Sequence, residues 1–236
     1  GLIKRAQRLM GKVMTVSGVV AAWRRSAIVH VGLWDTVAIT DDIEMTWKLE
    51  THFWDIRYEP NMICWMLVPE SIRGLWKQRK RWAQGGIEVI RRHYHVWTDW
   101  RQRRIWPIYV DYILGACWAY AFFLCLFLWL TRTVWSCLMT SSLTHHFFAT
   151  VALGNPFWGW NGAVVAVICL CQLFVSLWID SRYDEDLWKI AIWVSWYPVF
   201  YWMLNSFATV AATLAGLFRN MDEPATWVSP DRGLRK

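Results

Sequence analysis

Three apolar runs in the second half of the chain limit its fold more than any other feature. Pro107–Leu130 carries only Asp111, Gly162–Ile179 is uncharged, and Leu187–Leu217 is interrupted by Lys189 and Pro198. Each is long enough to cross a bilayer, which takes about 20 apolar residues in a helix. Any one of them could be a buried core helix. Three in succession, with tryptophan and tyrosine near their ends, predict membrane spans. Residues 131–160 are apolar and aromatic but broken by Gly154, Asn155 and Pro156, which suits a non-cytoplasmic loop, a re-entrant piece or a fourth span.

The charge sits elsewhere. Residues 1–106 hold 18 Lys/Arg against 10 Asp/Glu, while residues 107–218 hold 3 against 5. The first half therefore faces water or a membrane surface, and the positive-inside bias orients it toward the cytoplasm. Three spans would leave the tail, which ends in Arg232, Arg235 and Lys236, on the opposite side; an even number would return it. Of the six cysteines, Cys117, Cys125, Cys137, Cys169 and Cys171 lie in or beside the apolar runs, where cysteine acts as a small hydrophobe. No cysteine spacing resembles a zinc site.

Residues 1–70 read as part of an α/β domain. VMTVSGVVAAWRR contains a β-branched run ending in Ser17-Gly18, IRYE before Pro60 reads as a short strand, and NMICWMLVPE is a further short apolar stretch closed by Pro69. Between them a helix begins at the acidic cluster, with Met45, Leu49 and Phe53 at four-residue spacing along one apolar face. Residues 71–106 mix basic and aromatic side chains at helical spacing. This pattern predicts amphipathic helices lying in a membrane interface, with Gly85-Gly86 separating two of them. Residues 107–217 form the transmembrane region, and 218–236 a polar tail. The expected partner of the basic half is lipid, not nucleic acid. The chain opens with GLIKRAQRLMGKV, without an initiator methionine, and reads as the C-terminal part of a longer protein.

Two clusters could carry chemistry. Thr40-Asp41-Asp42 reads first as a helix start, with Asp41 as N-cap and Glu44 completing a capping box. A carboxylate held there can also serve as a general base, so Asp41 could cap while Asp42 points into a cleft. Gln78-Arg79-Lys80-Arg81-Trp82 reads first as basic interfacial helix. Yet Gln78 and Arg81 share a helix face, a guanidinium binds a diphosphate bidentately, and the Trp82 indole offers a flat surface to a sugar.

A Thr-Asp-Asp triplet followed by Gln-x-x-Arg-Trp and then by membrane spans resembles the processive family-2 glycosyltransferases, which include cellulose, chitin and hyaluronan synthases. ITDDIEMTWKLE, YEP, PESIRGLWKQRKRWAQGG and the terminal WVSPDRG resemble most the branch that polymerises N-acetylglucosamine through β-1,6 links into biofilm exopolysaccharide. The resemblance implies the C-terminal part of a GT-A domain, with Asp42 as catalytic base, although Asp41 stands where glutamate is usual. It implies that Gln78 and Arg81 meet the nucleotide diphosphate, that Trp82 stacks on the acceptor sugar, and that Ser17-Gly18 forms a small-residue turn beside it. For Ser17 and Gly18 a plain tight turn explains the residues as well.

The same resemblance implies a UDP-N-acetylglucosamine donor, a growing polysaccharide, and a divalent metal, Mg²⁺ or Mn²⁺. The metal ligands and the uridine site would lie mostly in a preceding donor-binding half. No metal ligand is assigned in this chain: Asp184-Glu185-Asp186 has the D-x-D spacing but falls between two apolar runs. A small membrane subunit, control by cyclic di-GMP and location in a bacterial inner membrane are further implications. The alternatives are another processive synthase, or a non-catalytic membrane adaptor whose basic helices bind anionic lipid.

Overall fold

The computed structural model describes residues 2–59, 61–139, 160–183 and 186–226. Two compact units form, one from Gly1–Ala116 with Ala208–Lys236, the other from Cys117–Phe207. The helices, in chain order, are α1 (Leu2–Met10), α2 (Arg25–His30), α3 (Asp41–Thr51), α4 (Ile72–Arg92), α5 (Trp106–Met139), α6 (Trp160–Asp180), α7 (Leu187–Ile190) and α8 (Tyr197–Phe218). Two short 3₁₀ turns, Tyr94–Trp97 and Trp100–Gln102, connect α4 to α5.

Three of these helices are long and apolar enough to cross a membrane, over Trp106–Trp135, Ala163–Asp180 and Tyr197–Phe218. The third expected run is in fact two helices. Residues 191–196 form turns after α7, and Pro198 takes the second position of α8, where its missing N–H would have no intrahelical partner in any case. The reading of 131–160 as a loop or fourth span falls largely outside the described residues, as do Asp184, Glu185 and the end of the polar tail.

The expected strands do not form among the described residues. The only pairing in the β-branched stretch is an isolated bridge between Ser17 and Val20. The backbone donors there are bound by α3 side chains instead. Val13 N–H donates to Glu50 Oε1 at 2.9 Å and Val16 N–H to Thr46 Oγ1 at 3.1 Å. Residues 54–59 and 62–68 are likewise without regular structure.

Gly85-Gly86 does not separate two helices: α4 runs through it. A Cβ on Gly85 would collide with the Thr40 side chain, and one on Gly86 with the Tyr112 phenol. The pair therefore permits two close approaches, by the start of α3 and by the start of α5, and these outweigh the roughly 1 kcal/mol helix penalty of each glycine. Gly216 of α8 makes a third approach, its Cβ position 3.0 Å from the Gln84 carbonyl oxygen.

Trp47, Val89, Val96, Ile105, Ile108 and Tyr109 form the core that joins α3, α4 and the start of α5. A second cluster packs Ala27, Ile28 and Val31 of α2 against Met45 and Leu49. Phe53 does not continue that apolar face. It lies past the end of α3 with a φ of 66° and is exposed. Arg219, just after α8, donates to Glu88 Oε2 at 2.8 Å and to the Val37 carbonyl at 2.9 Å, and Ala225 N–H donates to the Thr36 carbonyl. The start of the polar tail is thus tied to α4 and to the loop that leads into α3. In the other unit, Trp118 and Phe122 of α5 pack against Trp202 of α8.

At the far end of α3, Glu50 is only 2% exposed. Burial pushes its carboxyl up to about 7, against the Val13 bond and the Lys12 charge, which both favour ionisation. Unfolded, it ionises near 4.5, so between the two values the native state keeps a proton that the unfolded state has released. The stability due to neutral Glu50 is complete below about pH 4.5 and is lost as pH rises to about 7, a fall of about 3 kcal/mol. Glu50→Gln keeps the acceptor for Val13 and cannot ionise. Thermal unfolding across pH should show the variant melting above the wild type at about pH 8, with the gap closing toward about pH 4.5. Identical pH dependence in both proteins would contradict this.

Candidate active site

The site is built where the start of α3 meets the middle of α4. Thr40, not Asp41, is the N-cap residue of α3, and its side chain makes no capping bond. Its Oγ1 is buried without a hydrogen-bond partner, against Gly85. Asp41 is exposed in the first turn. Glu44 completes no capping box. It turns inward, where its Oε1 lies 3.2 Å from His93 Nε2 and 3.4 Å from Arg92 Nη1. A carboxylate this buried needs such partners, and pairing inside the core takes precedence over capping.

Asp42 is half-buried beside Gly18. Its Oδ1 accepts from Ile43 N–H at 2.9 Å. A Cβ on Gly18 would stand 3.3 Å from Asp42 Oδ2, so the small residue is what lets the turn approach the carboxylate. Burial raises the Asp42 carboxyl above its ordinary value, helped by the Asp41 charge and opposed by backbone hydrogen bonds from Ile43 and Gly18. The net effect is a stronger base than an exposed aspartate, held in one place by the backbone around it.

Arg81 comes to the same place from α4. Burial lowers its guanidinium from the ordinary value, while the nearby charges of Asp42 and then Asp41 raise it. Lys4 of α1 behaves in the same way: burial lowers it and the Asp42 charge opposes the fall. Asp42 is therefore a carboxylate with two cations in its field. Gln78 is half-buried one helical turn before Arg81. Trp82 is 44% exposed, with the Arg79 guanidinium 4.1 Å from its ring centroid.

The geometry thus gathers Asp42, Gly18, Arg81 and Thr40, and puts Gln78 and Trp82 on the same helix as Arg81. Ser17 lies next to Gly18 in the bridged turn. Three contributors were not visible in the chain's pattern. Lys4 had no local signal, and Gly85 read as a helix break. Arg79 read as one more basic residue although it is the one that covers Trp82. Among the described residues no three or more His, Cys, Asp and Glu side chains converge to hold a metal ion. Asp186 pairs with Lys189 at 2.6 Å.

The family described as Glycosyl transferase family group 2 matches residues 2–218. The poly-beta-1,6-N-acetyl-D-glucosamine synthase of Staphylococcus epidermidis RP62A is 38% identical over 233 residues, covering 99% of this chain and 54% of the relative. That of Staphylococcus aureus strain COL is 40% identical over the same length and coverage. The chain spans about half the length of the curated relatives it matches. No solved structure matches.

Proposed function

The chain belongs to glycosyl transferase family group 2, and we propose that the complete protein polymerises N-acetylglucosamine from UDP-N-acetylglucosamine into a β-1,6-linked polysaccharide and passes it across the membrane. The observation that carries this reading is the meeting of Asp42 and Arg81, a raised carboxyl and a cation in its field, supplied by two different helices. The sugar and the linkage follow the names of the staphylococcal relatives, and the UDP-linked donor follows the resemblance of the motifs.

In this mechanism Asp42 takes the proton from the C6 hydroxyl of the acceptor sugar as its oxygen attacks the anomeric carbon. The bond to the diphosphate breaks in line, UDP departs with the electron pair, and the α-linked donor becomes a β-link. Arg81 balances charge on the departing diphosphate, with Gln78 beside it on the same face. Trp82 stacks under the acceptor sugar, with Arg79 on its ring fixing the indole. Thr40 and Asp41 form the helix start from which Asp42 projects, and Ser17-Gly18 borders the acceptor. Uridine binding, and most of the ligands of a divalent metal, belong to the donor-binding half of the complete protein.

The α/β character expected of a GT-A domain also belongs to the complete protein, where 12–24 and 54–59 would find partner strands. The start of α5 and the end of α8 lie in one compact unit, which supports an even number of crossings, with the basic half and the polar tail both on the cytoplasmic side of a bacterial inner membrane. A small membrane subunit and cyclic di-GMP are further expected partners of the complete protein.

Trp82→Leu tests the proposal. The leucine keeps an apolar side chain for a lipid surface but removes the flat ring. Loss of an aromatic stack is worth about 0.5–1.5 kcal/mol, so up to about tenfold in polymer formation should be lost with membrane insertion unchanged. Synthesis at the wild-type rate would remove Trp82 from the acceptor site.

A further inference from the structure

The α3–α4 site leaves a second group of cations unused. Lys12, Arg101, Arg103 and Arg104 line a cavity of about 470 Å³ together with Glu50 and Asp55. The two acids leave this group with an excess of positive charge. Asp55 is engaged by Arg57 Nε at 3.1 Å and approached by Arg8 Nη2 at 3.8 Å, while Glu50 is buried and bonded to Val13. Among the described residues none of the four cations forms an ion pair. Lys12 Nζ donates to the Trp54 carbonyl at 3.3 Å and Arg103 Nη1 to the Trp100 carbonyl at 3.4 Å.

The backbone that presents the arginines is fixed. Gln102 is buried between them and its Nε2 donates to the Thr51 carbonyl at 2.7 Å, and Ile105 is part of the core. The arginines themselves are exposed. They stand immediately before Trp106, where the first apolar helix begins. Trp97 and Trp100 pack on Trp106, with ring centroids 5.4 and 5.3 Å apart. Tryptophans clustered at the end of a span mark the headgroup level of a bilayer, and cations beside them are within reach of lipid phosphates.

We propose that the cavity lined by Lys12, Arg101, Arg103 and Arg104 binds the phosphate-bearing headgroup of an anionic phospholipid at the entry to α5. The guanidinium forks meet the phosphate oxygens and Lys12 adds a point charge. A free phosphate shares this chemistry. The adjoining span and tryptophans favour the lipid. The proposal rests on α5 being a span, not on the transferase reaction, so the two can fail separately.

Native mass spectrometry of the delipidated full-length protein, mixed with equal amounts of phosphatidylglycerol and phosphatidylcholine, reads the site without any activity assay. Phosphatidylglycerol should be retained preferentially and should survive millimolar inorganic phosphate. R101Q/R103Q/R104Q should lower its retention about a hundredfold, from about fivefold per basic residue near an anionic surface. Lys12→Gln, which leaves the 3₁₀ turn untouched, should lower it about fivefold on the same basis. R25Q/R182Q/K189Q removes the same charge elsewhere and should change nothing. Unaltered retention in the first two variants, or equal loss in the third, would overturn the site. Displacement by inorganic phosphate would overturn the lipid as its occupant.

Discussion

Asp42→Asn in the complete protein should abolish measurable polymer synthesis while leaving the protein in the membrane. Asparagine retains an oxygen for the Ile43 N–H and matches the aspartate in shape against Gly18, so the start of α3 is preserved. It removes only the capacity to take a proton. General-base assistance is worth about 10²–10⁴-fold, which sets the size of the loss. The wild type should also carry a pH signature. Because burial raises the Asp42 carboxyl, the base is lost by protonation as pH falls through a range above that of an ordinary carboxylate. The rate of UDP release should decline on that acidic limb in the wild type, and the asparagine variant should show no such limb. A variant with wild-type activity would return Asp42 to the role of a helix-start residue.

Arg81→Lys is the second large effect. Lysine keeps the charge and most of the length, so a helix that only binds lipid would not register the change. A site that holds a diphosphate would. The guanidinium presents two parallel donors, whereas an ammonium is a point charge. Removing one positioned group that stabilises developing charge costs about 2.7–4 kcal/mol, or about 10²–10³-fold in turnover. The loss should fall mainly on kcat, measured as UDP release at saturating UDP-N-acetylglucosamine, since charge on the diphosphate grows toward the transition state. An equal rate with lysine would leave LWKQRKRWAQGG a basic surface helix and nothing more.

The two candidate clusters were legible because each is compact in sequence. Thr40-Asp41-Asp42 and Gln78 to Trp82 are short patterns on helices, and helical spacing alone puts Gln78 and Arg81 on one face. What failed to show was set by tertiary contact. Gly85-Gly86 has the local signature of a break, and only the nearness of Thr40 and Tyr112 explains why a continuous helix carries it. Asp41 is the better N-cap by residue type, but the helix begins one residue earlier, and Glu44 is drawn into the core by Arg92 and His93. Phe53 matched the four-residue spacing of Met45 and Leu49, yet α3 ends at Thr51 before that spacing can act. The extended reading of the run that begins VMTVSG followed β-branched composition, while the donors of Val13 and Val16 went to Glu50 and Thr46. The apolar spans needed no tertiary information, because the bilayer requirement is met by length and composition alone.

Labelled UDP-N-acetylglucosamine supplied to membranes that contain the complete protein, beside membranes with Asp42→Asn, shows whether Asp42 and Arg81 serve a polymerase of this sugar. Labelled polymer is expected from the wild type alone, degraded by a β-1,6-N-acetylglucosaminidase. Equal polymer from the two membranes, or incorporation from UDP-glucose in place of UDP-N-acetylglucosamine, would contradict that role.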